Sequence, residues 1–249
     1  MENPLGSPIK HISVVIPFYN EQDNIQPLLT EVCAALTGVK HEIIAVDDGS
    51  IDNTLSVLQS LKAQLPTLHI IKHQRNFGQS AAIGSGVQAA KFDMITTLDG
   101  DGQNDPADIP ALLNAVQEHA QHGKTIVALG KRRKRQDNWL RRISSRIAND
   151  IRQKLLNDDC PDTGCGLKFF PRATFLSLPH FNHMHRFLPA LFKRHGAVMI
   201  NVPVSHRPRT KGESKYGVGN RLWVGIVDIF GVRWLQRRPC SPDIDPEIS

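Results

Sequence analysis

The sequence predicts an α/β fold in which helices flank a doubly wound, mostly parallel β-sheet. From Ile12 to about Gly130, short runs of β-branched residues alternate with longer helical stretches, which is typical of β-α-β units. The chain has 249 residues, which is enough for one large α/β domain. Its 40% apolar residues and 22% charged residues of both signs exclude a disordered or fibrous chain.

Five strands and four helices are predicted in the first half of the chain. The strands are Ile12–Pro17, Glu42–Val46, Leu68–Lys72, Met94–Leu98 and Ile126–Leu129. The helices are expected near Asp23–Leu36, Asp52–Leu65, Gly78–Ala90 and Pro106–His122. Asp52 is expected to cap the second helix, and Pro106 suits the first turn of the fourth. Right-handed crossovers would then place a ligand crevice at the carboxyl ends of the strands.

After Gly130 the regular alternation ends. The expected order is a basic helix near Asn138–Leu156, a turn at Asp158–Gly166, a strand at Leu167–Phe170, a helix around His185–Arg194, a strand at Ala197–Val204, a polar loop at His206–Gly217 and a helix at Leu222–Leu235. We therefore expect a flexible N-terminus over residues 1–10, a main domain over 11–217, an amphipathic helix within 218–238 and a disordered tail over 239–249.

Charge and cysteine content narrow the class of protein. The formal net charge is +6, but a basic region begins at Lys131 to Arg135, whereas acids dominate from Asp93 to Asp108. A basic run is typical of a solvated face, a nucleic-acid contact or an anionic membrane contact. No secretory signal is recognisable, and four cysteines do not make the framework of a small secreted domain. A cytoplasmic protein is expected.

The last predicted helix is relevant to whether the protein contacts a membrane. Leu222–Leu235 is mostly apolar but contains Asp228 and Arg233, and it is too short to cross a bilayer. Its aromatic residues, which are Trp223, Phe230 and Trp234, and its flanking arginines suit the interface of an anionic membrane. The alternative is a helix that packs on the domain or on a second subunit.

Acidic residues follow two of the predicted strands. Asp47 and Asp48 end the second strand, where carboxylates can accept hydrogen bonds from a ribose or a base. The glycine-rich turn of a dinucleotide-binding fold is missing after the first strand, and the small residues Gly84, Gly86 and Ala89 fall inside a helix, where they permit close packing. Nicotinamide, flavin and P-loop nucleotide binding are therefore not expected.

The fourth strand ends in Asp99-Gly-Asp-Gly-Gln103. Acids at alternate positions can approach one hard cation, and Mg²⁺ or Mn²⁺ prefers such oxygen ligands together with substrate phosphates. Pro110 stands where a calcium loop needs its terminal glutamate, which removes that alternative. His183 and His185 are two residues apart, seldom share a helical face and are expected to be surface or packing residues.

Eight blocks in this order resemble family 2 inverting glycosyltransferases with the GT-A fold. The first four are Pro17 to Glu21, Asp47 to Ser50 with Asp52 and Thr54, Arg75 and Asn76 with Gly78, and Asp99 to Gln103. The later blocks, which resemble the dolichyl-phosphate mannose synthase-like, polyprenyl-phosphate glycosyltransferase branch, are Gly130 to Arg132, Asp162 to Lys168, Arg186 to Pro189, and Arg207 with Gly212 to Tyr216. The resemblance implies a Rossmann-like sheet with acceptor-side helices at the C-terminal end, and a catalytic domain over residues 11–217.

The resemblance also implies roles for individual residues. The metal site would be Asp99, Asp101 and Gln103. The nucleotide sugar would contact Pro17, Tyr19, Glu21, Asp48, Asp99, Arg207 and Lys215. The acceptor phosphate would contact Arg132, Arg146 and Ser214. Arg132 and Asp162 would be the catalytic pair, and Asp162 matches the position usually proposed as the base. Because a phosphate monoester is largely ionised near neutral pH, Asp162 is alternatively a residue that orients an arginine or a sugar hydroxyl.

The expected activity is transfer of a sugar, with inversion, from a nucleotide sugar to a polyprenyl phosphate on the cytosolic face of a membrane. Mannose from GDP-mannose is the first expectation, and glucose or another UDP-linked sugar is the alternative. Mg²⁺ or Mn²⁺ is the expected cofactor, no nucleic-acid partner is expected, and an oligomer is compatible with the sequence. Two alternatives of a different class are a basic nucleic-acid-binding protein and an inactive scaffold.

Overall fold

In a computed structural model of the chain, residues 9–120, 124–133, 152–208 and 219–238 are described. Seven strands form one sheet in the order β3-β2-β1-β4-β6-β5-β7. They are β1 (His11–Phe18), β2 (Lys40–Asp47), β3 (Leu68–Lys72), β4 (Met94–Thr97), β5 (Ile126–Arg132), β6 (Lys168–Pro171) and β7 (Val198–Val204). All neighbouring strands are parallel except β6, which runs antiparallel to both β4 and β5. The predicted α/β fold with a mostly parallel sheet is confirmed.

The order of the strands determines where the predicted ligand crevice lies. From β1 the chain continues to β2 and β3 on one side, whereas β4 pairs with the other side of β1. Such a reversal leaves a gap at the carboxyl ends of the strands, where open α/β sheets bind ligands. The position of β6 between β4 and β5 does not follow from the sequence pattern, because a short buried apolar strand suits either direction.

Seven helices are described by their bounds. They are α1 (Ile25–Ala35), α2 (Thr54–Lys62), α3 (Gln79–Ala89), α4 (Ile109–Glu118), α5 (Arg172–Leu176), α6 (Leu188–Arg194) and α7 (Gly219–Gln236). Residues 152–156 are also helical, and they are the described part of the predicted basic helix. The polar loop from 209 onward and the tail from 239 lie outside the described residues.

Helix starts differ from the prediction for local reasons. The helix α2 begins at Thr54, and its N-cap is Asn53, whose side chain makes no capping hydrogen bond, so Asp52 is not the cap that was predicted. Asp52 lies one residue earlier, and its Oδ1 accepts a hydrogen bond from the Thr54 backbone N at 3.0 Å. Pro106 begins a separate 3₁₀ turn, Pro106–Asp108, which Asp105 caps, and α4 follows from Ile109. The helix expected from His185 likewise begins as a 3₁₀ turn, Met184–Arg186, before α6.

The core has one layer on each face of the sheet. Val14 and Ile16 of β1 pack with apolar residues of α1, α2 and α4, whereas Val15 faces α3, α6 and α7. This alternation is what a strand buried on both faces requires. Close packing of α3 on the sheet requires glycine, since a Cβ on Gly86 would lie 2.4 Å from Val15 Cγ1. The packing role predicted for Gly86 is thereby explained.

Candidate active site

The loops after β1 and β2 are joined by hydrogen bonds at the carboxyl edge of the sheet. The backbone N of Asn20 donates to Ser50 Oγ at 2.9 Å, and the backbone N of Ile51 donates to Asn20 Oδ1 at 2.8 Å. One residue on, the backbone N of Glu21 donates to Thr54 Oγ1 at 3.0 Å. Residues of the first two predicted blocks therefore hold each other in place, although more than 25 residues separate them in the sequence.

Asp48 fixes the loop that follows β3. Its Oδ1 accepts hydrogen bonds from the Phe77 backbone N at 2.9 Å and from His73 Nδ1 at 2.7 Å, and its Oδ2 accepts one from the Gly78 backbone N at 2.8 Å. Gly49, at φ +71°, lets this loop pass, since a Cβ there would lie 2.3 Å from the Arg75 carbonyl carbon. Asp48 therefore has a structural role, which is to hold the loop after β3 in place. Its contact with a nucleoside stays a prediction.

The other predicted nucleoside residues lie along the same edge. Pro17 pairs with Val46 in the β1–β2 ladder, and Tyr19 follows the end of β1. Glu21 is buried, and its Oε2 accepts a hydrogen bond from Asn24 Nδ2 at 2.6 Å. The structure places these three residues next to the crevice, and their contact with the donor stays a prediction.

Asp99 is held from three sides. Gln79, the first residue of α3, donates its Nε2 to Asp99 Oδ1 at 2.6 Å. The backbone N of Asp99 donates to the side-chain Oδ1 of the buried Asn104 at 2.9 Å. Gly166 lies directly against the carboxylate, since a Cβ built there would be 2.3 Å from Asp99 Oδ2. Asp99 is therefore confined to one position by α3, its own turn and the segment before β6.

Two of the three predicted metal ligands, Asp99 and Asp101, repel each other. Burial raises the pKa of Asp99 to about 6, the negative charge of Asp101 adds to the rise, and Lys168, the Gln79 hydrogen bond and Arg132 oppose it. A divalent cation would relieve this repulsion, and two carboxylates are the oxygen donors that Mg²⁺ or Mn²⁺ prefers. In the described part of the chain no group of three or more His, Cys, Asp or Glu side chains could hold a metal. Substrate phosphate or water would have to complete the coordination.

This pKa gives a testable pH dependence. A metal must displace the proton from Asp99, so below about pH 6 the affinity for Mn²⁺ should fall with pH, by roughly tenfold per unit when one proton is displaced. Above that pH the carboxylate is charged and the affinity should level off. Titration of Mn²⁺ by electron paramagnetic resonance at several pH values measures the effect. An affinity that stays constant from about pH 5 to about pH 7 would contradict it.

Arg207 joins the turn from Asp99 to Gln103, called the metal turn below after its predicted role, to the segment after β7. Its backbone N donates to the carbonyl oxygen of Gln103 at 2.9 Å, and Gln103 Nε2 donates to its carbonyl oxygen at 3.4 Å. Its guanidinium pairs with Glu31 of α1 at 2.6 Å and with Asp105 at 2.8 Å. The side chain thus anchors this segment, and its contact with the donor stays a prediction. Arg146, Ser214 and Lys215 lie outside the described residues.

Arg132 and Asp162 form a two-pronged ion pair. Arg132 Nε donates to Asp162 Oδ2 at 2.7 Å, and Nη2 donates to Oδ1 at 2.6 Å. The backbone N of Arg132 also donates to Oδ2, at 3.2 Å. Burial opposes the charge of Arg132, yet its hydrogen bonds to Asp162 and the charge of that residue outweigh burial and raise the pKa of the guanidinium. This geometry favours Asp162 as the residue that orients Arg132.

Two buried cations near this pair were missed by the sequence analysis. Arg152 pairs with Asp158, its Nε lying 3.1 Å from Oδ2, and it donates to the Cys160 carbonyl oxygen at 2.6 Å and to Thr163 Oγ1. Lys168, the first residue of β6, is also buried. In the sequence Arg152 follows the basic region that begins at Lys131, and the local signal for its burial is the nearby acid Asp158.

A cavity of about 600 Å³ joins the metal turn to the Arg132–Asp162 pair. Its lining includes Asp99, Arg132, Lys168 and Arg186, together with Gln79, Ile83, Thr97, Thr163 to Gly166, His185 and Leu188. Four of the predicted blocks, which are far apart in the sequence, contribute to this one space.

His185 bonds Ser80 Oγ at 2.7 Å and His183 pairs with Asp228 of α7 at 3.4 Å, so the two histidines serve different contacts.

The chain is similar to proteins of a known family. The family model described as "Glycosyl transferase family 2" matches residues 13–177. The undecaprenyl-phosphate 4-deoxy-4-formamido-L-arabinose transferase of Edwardsiella ictaluri is 37% identical over 214 residues, which are 84% of this chain and 64% of that protein. The dodecaprenyl-phosphate galacturonate synthase of Rhizobium johnstonii is 34% identical over 93% of this chain and 69% of its own length. The chain therefore spans about two thirds of each relative.

A solved structure shares the fold. The glucosyl-3-phosphoglycerate synthase of Mycobacterium tuberculosis, in complex with Mn²⁺, uridine diphosphate and glucosyl-3-phosphoglycerate, superposes with a TM-score of 0.66. The likeness covers 95% of this chain and 85% of that one, at 18% sequence identity. At this identity the comparison speaks for the fold and not for the substrate.

Proposed function

The chain belongs to glycosyl transferase family 2 and has the GT-A fold, and from that premise we propose that it transfers a sugar from a nucleotide sugar to a polyprenyl phosphate. One observation carries the proposal. Asp99 of the metal turn and Arg132, a cation suited to phosphate, line the same cavity. A donor diphosphate and an acceptor phosphate can thus meet in one enclosed space. The names of the two relatives support a polyprenyl phosphate as the acceptor.

A divalent metal fits the donor side of this cavity. Asp99 and Asp101, with Gln103 beside them, would hold Mg²⁺ or Mn²⁺, and the mutual repulsion of the two carboxylates is relieved by such an ion. When bound, the metal supplies positive charge to the departing diphosphate. The solved neighbour with Mn²⁺ and uridine diphosphate supports a metal of this kind.

On the acceptor side the chain has to position a nucleophile that is already charged. A phosphate monoester has its second pKa near about 6 and needs little help from a base. Arg132 can donate from Nη1 to a phosphate oxygen while Asp162 holds Nε and Nη2. The demand on the site is then to place this oxygen opposite the leaving diphosphate, which gives inversion at the anomeric carbon.

For the donor sugar, the proposal keeps two classes of nucleotide sugar open. GDP-mannose is the first donor to test, and UDP-linked sugars are the alternative. The names of the two relatives mention other sugars, formamido-arabinose and galacturonate. The purified protein should be incubated with Mn²⁺, a polyprenyl phosphate and each radiolabelled donor in turn. Label should move into the organic phase with at least one donor. If no donor yields lipid-soluble label, the proposed function fails.

Helix α7 gives a candidate membrane surface. Its Val232 is buried and its Asp228 pairs with His183, so one side packs on the domain. Val227, Phe230 and Trp234 lie three and four residues apart on the outer side and are 56%, 65% and 59% exposed. Among the described residues no helix is long and apolar enough to cross a membrane. We propose that this outer side lies on the cytosolic leaflet, next to exposed Arg237 and Arg238.

Flotation with liposomes tests this surface. Replacing both Phe230 and Trp234 by serine should strongly reduce flotation with anionic vesicles, because each buried aromatic side chain contributes about 2 kcal/mol of transfer free energy. Transfer to a short, water-soluble polyprenyl phosphate should be preserved, since neither residue lines the cavity. A double variant that still floats like the unmodified protein would rule out α7 as the membrane contact.

A further inference from the structure

The buried ammonium group of Lys168 has no counter-ion in the described residues. Lys168 is only 5% exposed, and its Nζ donates to two backbone carbonyl oxygens, of Thr163 at 3.4 Å and of Cys165. Carbonyl oxygens accept hydrogen bonds but do not neutralise a charge. Asp99 is near enough for Lys168 to oppose the rise in its pKa, yet the two side chains form no ion pair. The positive charge is therefore buried without an ion-pair partner among the described residues.

Three buried or half-buried arginines around the site are paired with acids. Arg132 pairs with Asp162, Arg152 with Asp158, and Arg207 with both Glu31 and Asp105. Burying a charge without a partner is costly, and proteins normally pair such groups. Lys168 departs from this rule at the wall of the cavity. The departure indicates that an anion from outside the chain completes the pairing.

The position of Lys168 and its capacity for hydrogen bonds both indicate the kind of anion. Lys168 lines the cavity between Asp99, on the donor side, and Arg132, on the acceptor side. An ammonium group has three hydrogens, and two of them are used by the carbonyl oxygens. The third is left for a ligand. An oxyanion with several acceptor oxygens, such as phosphate, can accept this hydrogen bond and one from Arg132 together.

We infer that Lys168 binds a substrate phosphate group in this cavity. The inference rests on the proposed function and adds a residue to it. Two sources carry the same chemistry, namely the phosphate monoester of the acceptor and the diphosphate of the donor. On either one, the positive charge of Lys168 assists transfer by placing the attacking phosphate or by stabilising the leaving diphosphate.

Equilibrium binding to the whole chain tests the inference and separates the two sources. Farnesyl phosphate reports the acceptor site, and uridine or guanosine diphosphate with Mn²⁺ reports the donor site. Lys168→Gln removes the charge and keeps amide hydrogens for the carbonyl oxygens. Loss of one charge-assisted hydrogen bond should weaken binding of one probe by about 10- to 100-fold. The weakened probe identifies the source, and unchanged binding of both probes would overturn the inference.

A matched control separates loss of phosphate binding from loss of a carbonyl contact. Lys62 also donates its Nζ to a backbone carbonyl, that of Leu68 at 2.5 Å, but it ends α2 and does not line the cavity. Lys62→Gln should bind both probes like the unmodified protein. If binding weakens equally in Lys62→Gln and Lys168→Gln, the effect is structural and the inference is wrong.

A measurement without mutation covers the case in which Lys168→Gln does not fold. Side-chain ¹⁵N–H signals of lysine ammonium groups are visible by NMR when the group is buried and exchanges slowly. Inorganic phosphate should shift one such signal in a saturable way, and chloride at equal ionic strength should not. If no buried ammonium signal responds to phosphate, the inference fails. If no donor supports sugar transfer, the proposed function fails separately, since none of these binding readouts needs turnover.

Discussion

Gly166→Ala is expected to abolish most of the transfer activity and to leave the protein folded. A Cβ at this position would lie 2.3 Å from Asp99 Oδ2 and 2.4 Å from Cγ, so the carboxylate has to move. A catalytic group displaced by about 1 Å costs roughly 100-fold in rate. Stability should change little, because the displaced atoms belong to the end of a side chain and not to the backbone. Steady-state rates and thermal unfolding of the same preparation measure the two effects.

Gly84→Ala is the matched control for this change. A Cβ on Gly84, within α3, would meet its nearest atom, His180 Nδ1, at an ordinary 3.8 Å. Its activity should therefore equal that of the unmodified protein. Retention of full activity by Gly166→Ala would show that the fixed position of Asp99 is not needed, and the assignment of the metal turn would have to be abandoned.

Disrupting the Arg132–Asp162 pair should cost both activity and stability. Their side chains are 13% and 8% exposed, so Asp162→Ala leaves a guanidinium buried without its partner. Breaking a buried pair in this way typically lowers the free energy of unfolding by about 3–5 kcal/mol. The loss should be visible in urea denaturation. Asp159→Asn is the control, because the Asp159–Lys193 pair is largely exposed and exposed pairs contribute only about 0–1 kcal/mol.

The same pair distinguishes the two roles of Asp162. If Asp162 acts by orienting Arg132, the rates of Asp162→Asn, Arg132→Lys and the double variant should be non-additive, the double variant being little worse than the worse single variant. A general base contributes about 10²–10⁴-fold by itself, and its loss should add to the loss at Arg132. Additive effects over the cycle would therefore return Asp162 to the role of base.

Much of the fold follows from local patterns in the sequence. The alternation of apolar runs with helical stretches predicts the first five strands, and short apolar runs after Gly130 predict the other two, because a strand buried in an α/β sheet has to be apolar whatever its neighbours are. The direction of β6 was not predictable. A run such as Lys168 to Phe170 pairs equally well either way, and the choice depends on which strands lie beside it.

For the candidate site too, the sequence indicates some of the residues and not others. The acids of the metal turn stand out in the sequence because Asp and Gly alternate there, and the family resemblance extends this to Asp48 and Arg132. Arg152 gave no such signal, and Lys168 stood only as the last residue of the Asp162 to Lys168 block, without any sign of its burial. A lysine or arginine at the surface and one buried beside an active site look alike in a sequence, since burial is decided by segments that pack on them from elsewhere.

The sequence by itself determined the fold class, the strands and the family, because hydrophobic period and motif order are properties of neighbouring residues. Only the tertiary structure decided which groups meet. It brought Asp162 onto Arg132 across 30 residues, set Gly166 against the Asp99 carboxylate and left Lys168 buried without an ion pair in the described part of the chain. The physical reason is that pairing and burial of charge depend on distance in space, and the chain must fold before those distances exist.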